Sequence, residues 1–125
     1  FVIGEPSKLQ QEYLTTVLEA QEEAVRSLEP DMPCDELDRR CRSKIEEAGW
    51  GESFIHGTGH GVGLDIHESP AINGRSEEKL MPGMVVTIEP GIYFTDTCGV
   101  RWEDLYEITE TGARRLTLSA KSPQA

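Results

Sequence analysis

An α+β fold, with two helices packed on one face of a mainly antiparallel sheet, is what the order of hydrophobic patterns along this 125-residue chain predicts. Amphipathic helical spacing occupies residues 7–48. From Gly49 onward Gly, Pro and β-branched residues take over, and the helical period disappears. No internal repeat or low-complexity stretch divides the chain, whose length suits one domain with a modest core.

The elements follow in order. The chain opens on Phe1-Val2-Ile3-Gly4 rather than Met, which reads as the tail of a strand entering a turn and suggests that the start is a cut or processing boundary. Ser7 with Gln10 three residues on forms a capping-box pattern. Leu9, Tyr13, Val17, Ala20 and Ala24 then recur at helical spacing, with Leu14, Leu18, Val25 and Leu28 widening the stripe, so residues 7–28 are expected as one long helix. Glu29-Pro30-Asp31-Met32-Pro33 ends it. A second helix is expected over 34–48, with Leu37, Cys41, Ile45 and Ala48 inward and Gly49 as its stop. Strands are expected at 54–57, 62–67, 84–94 and 99–108, with turns at Asn73-Gly74 and Met81-Pro82-Gly83. Residues 119–125 read as a flexible tail after a domain spanning 1–118.

A net charge of −11 argues against nucleic-acid binding, which wants a basic patch. No apolar run approaches the roughly 20 residues that a membrane span needs. Cys34, Cys41 and Cys98 are odd in number and form no C-x-x-C pair, so a reduced, cytoplasmic setting is the simplest expectation. Cys34 and Cys41 share a helix face, where packing is the expected role.

The chemistry concentrates in three places. Residues 56–68, His-Gly-Thr-Gly-His-Gly-Val-Gly-Leu-Asp-Ile-His-Glu, hold all three histidines in a Gly-rich frame. In extended backbone His56 and His60 share a face and His67 falls on the other, unless a bulge at the glycines re-aims it. Glu89 follows the apolar run Val85-Val86-Thr87-Ile88, where a buried carboxylate needs a partner, either an arginine or a metal ion. Pro90 cannot donate to a ladder, so pairing should be interrupted beside Glu89. Glu103 stands in Arg101-Trp102-Glu103-Asp104, with Arg101 as an available ion-pair partner. Adjacent strands could set Glu89 opposite Glu103, with His60 closing the cluster. Two close carboxylates repel unless a cation or proton intervenes, and imidazole plus glutamate suits a borderline divalent ion. The alternative is structural: Glu103 pairs with Arg101, Glu89 caps a turn and the histidines bond to loops. Other templates fail, since G-x-S-x-G, a phosphate loop, the dinucleotide fingerprint and H-E-x-x-H are all absent.

The three motifs together, His56 to Pro70, Met81-Pro82-Gly83-Met84 with Ile88-Glu89-Pro90-Gly91, and Val100 to Asp104, resemble the pita-bread metallopeptidases. Within them the chain is most similar to prolidases and Xaa-Pro aminopeptidases, over nearly its whole length. The resemblance implies the second half of a pita-bread (creatinase/aminopeptidase-like) fold, so that 1–118 is the C-terminal part of a catalytic domain truncated on its N-terminal side. It further implies His60, Glu89 and Glu103 as metal ligands, Glu89 also handling protons. His56 and His67 are implied to contact substrate or stabilise the tetrahedral intermediate, and Arg101 to orient neighbouring carboxylates. Two divalent ions (Mn, Co or Zn) are implied in an intact enzyme. Two aspartate ligands are expected upstream of Phe1, leaving an incomplete site in this chain and little activity in it alone. Trp102 stands where a smaller aliphatic residue is usual. The implied reaction is hydrolysis of Xaa-Pro bonds in short peptides, with no nucleic-acid or membrane partner and a homo-oligomer expected from uncovered apolar faces. A non-catalytic pita-bread peptide-binding module and a methionine aminopeptidase-like hydrolase are the alternatives.

Overall fold

The computed structural model describes residues 4–121. The strand tail expected at 1–3, and the last four residues of the expected C-terminal tail, lie outside the described residues.

Helix α1 spans Lys8–Arg26. The expected capping box is present: Gln10 N–H donates to Ser7 Oγ at 3.2 Å and Ser7 N–H to Gln10 Oε1 at 2.8 Å, which satisfies two otherwise orphaned donors at the helix start. Tyr13, Val17, Ala20 and Ala24 are buried as the stripe predicts, together with Gln21, while Leu9 is exposed. Helix α2 spans Cys34–Glu47 and buries Leu37, Asp38, Cys41 and Ile45. It stops where Gly49 takes φ +86°. Gly49 N–H then reaches Glu46 O at 2.9 Å and Trp50 N–H reaches Ile45 O at 3.0 Å, the paired bonds of a Schellman end. Ala48, expected inward, is the exposed C-cap instead.

The strands depart further from expectation. Residues 54–57 pair with nothing regular, and a single 3₁₀ turn at Gly51–Ser53 precedes them. The histidine motif pairs through β1 (Gly59–Gly61) and β2 (Glu68–Ile72), while residues 62–67 form an irregular connection with Leu64 and Ile66 exposed. The expected strand 84–94 is two strands, β3 (Val85–Ile88) and β4 (Gly91–Phe94). Likewise 99–108 is β5 (Cys98–Arg101) and β6 (Asp104–Thr109). A further strand, β7 (Gly112–Arg115), was masked in the sequence by glycine and charge.

All pairs are antiparallel. One sheet runs β2-β1-β3-β6-β7, and β4-β5 form a separate ribbon. The chain therefore changes sheet twice at one level, once across Glu89-Pro90 and once across Trp102-Glu103. α1 packs across β3, β4 and β5, and α2 packs against β2. Val17, Ala20, Leu37, Cys41, Ile45, Ile72, Val86, Ile88 and Ile108 form the core between helices and sheet. Tyr13, Trp50 and Phe94 close one end, with Tyr13 stacked on Phe94 at 4.3 Å and Trp50 edge-on to both. Among the described residues no helix is long and apolar enough to cross a membrane.

Candidate functional site

Close backbone contact comes first. A Cβ on Gly59 would lie 2.8 Å from the carbonyl carbon of Thr87, and one on Gly61 would lie 2.6 Å from that of Ser69. Real Cβ atoms do not come so near, so glycine on both sides of His60 lets β1 press against β2 and β3. Between His60 and Gly61 the β1–β2 register slips, from Ala71 to Glu68, which is the bulge that the glycine frame allows. With it, His67 lies beside His60, ring centroids 4.3 Å apart.

β3 delivers Glu89. Ile88 pairs with Asp104 in one sheet and Gly91 pairs with Arg101 in the ribbon. The two registers are continuous, so the unpaired residues between them face each other: Glu89 opposite Glu103, and Pro90 opposite Trp102. Glu89 N–H turns away from Glu103 and donates to Thr58 O at 2.7 Å. The glutamates are thus a non-hydrogen-bonded cross-strand pair, the kind in which Cα atoms approach to about 4.5 Å.

His60 Nδ1–H donates to Gly61 O at 2.9 Å, which leaves Nε2 facing Glu89 Oε1 at 3.0 Å. That carboxylate oxygen already accepts from Thr87 Oγ1 at 3.0 Å, and the same hydroxyl accepts His60 N–H at 3.0 Å. A lone pair and a carboxylate oxygen at this distance need a proton or a cation between them. Arg101 bridges the two glutamates loosely, Nη1 lying 3.6 Å from Glu89 Oε2 and Nε 3.9 Å from Glu103 Oε2.

Of the residues singled out from sequence, His60, His67, Glu89, Arg101 and Glu103 come together. His56 does not join them. Its Nδ1–H donates to Gly57 O at 2.8 Å and its Nε2 accepts from Tyr93 Oη at 3.0 Å, with Phe54 packed against the ring. The donor chemistry suits a borderline divalent ion: one imidazole with its proton placed elsewhere, and two opposed carboxylates. Two of the three donors converge, while Glu103 is engaged with Arg101. Among the described residues no three His, Cys, Asp or Glu side chains are close enough to hold an ion together.

Sequence reasoning missed four supporting residues. Thr87 ties His60 to Glu89. Asp38, buried on α2, accepts Thr58 N–H at 3.0 Å and Thr58 Oγ1 at 2.8 Å on Oδ1, and Arg42 Nε at 3.1 Å on Oδ2. Arg42 in turn donates to Phe54 O and His56 O, each at 2.8 Å, with its guanidinium 4.2 Å above the Phe54 ring. Together they fasten residues 54–58, which lead into β1, to α2. Gln21 reaches the site strands from α1. Behind Glu103, buried Asp104 pairs with Arg115 at 2.9 Å and accepts from Thr117 Oγ1. Lys121 Nζ lies 3.4 Å from Asp104 Oδ2, near enough for attraction although outside hydrogen-bonding geometry.

Known proteins bear on this arrangement. The model for metallopeptidase family M24 matches residues 1–110. An Xaa-Pro dipeptidase of Pyrococcus furiosus is 53% identical over 116 residues, covering 93% of this chain and 33% of the dipeptidase. Among solved structures, a prolidase from Pyrococcus furiosus superposes with a TM-score of 0.94 at 50% identity, covering 97% of this chain and 36% of that one. An X-Pro aminopeptidase from Thermotoga maritima gives 0.92 at 42% identity, covering 96% and 34%. The chain spans about a third of the length of the curated relatives it matches. Its two helices on a mainly antiparallel sheet are a pita-bread architecture, and with the family model matched from its first residue to Glu110 the chain belongs to metallopeptidase family M24.

Proposed function

We propose that this chain contributes part of the active site of a peptidase that hydrolyses Xaa-Pro bonds in short peptides with the help of divalent ions. The observation that carries the reading is the register-opposed pair Glu89 and Glu103, with His60 Nε2 3.0 Å from Glu89 Oε1. The relatives' descriptions as Xaa-Pro dipeptidases supply the substrate class. His60, Glu89 and Glu103 would hold Mn²⁺, Co²⁺ or Zn²⁺. Bound there, such ions supply Lewis acidity toward the scissile carbonyl and a water acidic enough to serve as nucleophile at neutral pH.

The protein's own groups do the rest. Glu89, with Thr87 fixing one carboxylate oxygen, takes a proton on the other and returns it to the leaving proline nitrogen. An imide nitrogen carries no hydrogen of its own, so its protonation decides whether the bond breaks. His67, beside His60, stabilises the oxyanion, and His56 contacts substrate from its place against Tyr93. Arg101 orients both glutamates. Residues 1–118 act as part of the catalytic domain. Exposed Ile55, Leu64 and Ile66 favour self-association in a homo-oligomer, and the three free cysteines favour a reducing cytoplasm.

The test is Mn²⁺-dependent hydrolysis of an Xaa-Pro dipeptide by the 125-residue chain. It is run beside the same chain joined to the part of the Pyrococcus furiosus dipeptidase that this chain does not cover. Activity in the joined protein, abolished by Glu89→Gln, is the expected result, with little in the 125 residues alone. A joined, folded protein that binds Mn²⁺ but cleaves no Xaa-Pro bond would overturn the reading.

A further inference from the structure

The strands that carry the two glutamates meet at a point where the ladder lacks a donor. Trp102 N–H donates to Pro90 O at 3.2 Å, which makes these residues the hydrogen-bonded kind of antiparallel pair. Such a pair exchanges two bonds. The second would run from the N–H of residue 90 to Trp102 O, and proline has no N–H to give. Gln21 stands there instead. Its Nε2 is 3.4 Å from Trp102 O and 2.9 Å from Ile88 O, the carbonyls immediately preceding Glu103 and Glu89. Gln21 is completely buried although it sits in the apolar stripe of α1.

The orientation of this amide is fixed by chemistry on both sides. Lys121 Nζ, which can only donate, lies 2.6 Å from Gln21 Oε1, and both carbonyls can only accept. Turning the amide over would set donor against donor and acceptor against acceptor. A buried leucine or methionine at position 21 would fill the space but leave the carbonyls without that donor. The polar residue is therefore explained by what it bonds.

We propose that Gln21 is a positioning residue for Glu89 and Glu103, its side-chain amide standing in for the N–H that Pro90 lacks and setting the spacing of the two carboxylates from beneath. This rests on the metal-binding reading of those glutamates given above. Gln21 touches neither carboxylate. It acts by holding the backbone from which each one projects.

The experiment compares wild type with Gln21→Met, which removes both ends of the amide, and Gln21→Glu, which keeps an acceptor for Lys121 but loses the donor. Lys121→Met, which leaves the donor in place, is the control. Native-state amide exchange is read at Trp102 and Glu89 against Ile108, whose N–H bonds to Met84 O within the undisturbed part of the sheet. In both Gln21 variants Trp102 and Glu89 should exchange about tenfold faster, the size of one lost buried bond, while Ile108 is unchanged. Lys121→Met should leave the pattern as in wild type. Uniform acceleration at all three amides, or none at Trp102, would overturn the proposal, since Gln21 would then be an ordinary core contact. Mn²⁺ affinity, measured calorimetrically on wild type and Gln21→Glu each joined to the part of the Pyrococcus furiosus dipeptidase that this chain does not cover, should fall about tenfold in Gln21→Glu. Wild type that binds no Mn²⁺ while keeping the selective exchange pattern would sink the metal reading and not the clamp. Wild type and Gln21→Glu that bind Mn²⁺ equally would sink the clamp and not the metal reading.

Discussion

Replacing Asp38 with alanine should cost about 4 kcal/mol of stability, most of it from groups left behind rather than from contacts removed. Asp38 is 1% exposed and accepts from three directions: Thr58 N–H, Thr58 Oγ1 and the Arg42 guanidinium. Breaking one partner out of a buried ion pair costs about 3–5 kcal/mol. Arg42 retains 28% side-chain exposure, so water recovers some of that and the low end applies. Thr58 is fully buried, and its N–H would lose its acceptor, adding about 1 kcal/mol at least. In a chain of this length the sum lowers Tm by about 15 °C. Asp38→Asn keeps a carbonyl oxygen for Thr58 but turns an NH₂ toward Arg42, so about 2 kcal/mol is expected there. Urea unfolding of the single variants, of Arg42→Met and of the double variant closes the cycle. The Asp38→Ala cost should shrink by more than about 1.5 kcal/mol when Arg42 is already gone. A single-variant cost below about 1 kcal/mol, or strict additivity, would refute the claim that this network fastens residues 54–58 to α2.

Two further outcomes follow from the same geometry. Gly59→Ala should lose at least about 3 kcal/mol in urea unfolding because its Cβ meets the Thr87 backbone, whereas Gly74→Ala, whose nearest neighbour would be Asp38 Oδ2 at 3.6 Å, should stay within about 0.5 kcal/mol. Burial, with smaller contributions from nearby carboxylates, holds the Cys34 thiol up to about 11, the Cys41 thiol up to about 12 and the Tyr106 hydroxyl up to about 12. These groups stay neutral in the folded chain while an unfolded chain would ionise them. Their stabilising effect is therefore complete below the ordinary values of 9.0 and 10.0 and is lost as pH rises through the folded ones. Urea midpoints should fall steadily above pH 9, less steeply in Cys41→Ala, and a flat profile in wild type would contradict the assignment.

The helices were legible because each carried its own punctuation. The capping box at Ser7 and Gln10 and the stop at Gly49 are local devices, and an apolar stripe identifies the buried face without knowledge of the partner. The sheet was legible only as runs of residues. Nothing in Val85 to Phe94 says that its two halves belong to different sheets, although Pro90 marked where they part. β7 was hidden because Gly-Ala-Arg-Arg has no strand pattern. It pairs because the chain folds back on Thr109 and because Arg114 meets Glu107 across the strands. The same limit applies to the site. Glu36–Arg40 and Asp38–Arg42 are identical in spacing on α2, yet the first lies on the surface and the second is enclosed by residues 54–58. Gln21 did leave a signal, a polar residue four positions from Val17 on the buried face. Reading it required knowing which carbonyls lay beneath.

The junction at Glu89 and Glu103 shows why a proline stands beside a carboxylate pair. Antiparallel strands with a closed ladder would hold opposed glutamates in a rigid, repelling arrangement, and like charges directly opposite destabilise a sheet. Pro90 removes one bond of the ladder where β3 and β6 hand over to β4 and β5, while Trp102 N–H still bonds to Pro90 O and keeps the register. The missing bond alone would leave Trp102 O without a donor, and Gln21 supplies one from the helix side. Charge remains to be balanced. Arg101 is the chain's own cation for the pair, but at 3.6 and 3.9 Å with half of its side chain in solvent it is held loosely. Pairs of that exposure contribute about 0–1 kcal/mol. On the function proposed above, a divalent ion held by His60, Glu89 and Glu103 would offer far more, and displacing so weak a partner would cost little. The arrangement is therefore suited to exchange one cation for another: firm in the backbone that aims the carboxylates, and yielding in the side chain that occupies them.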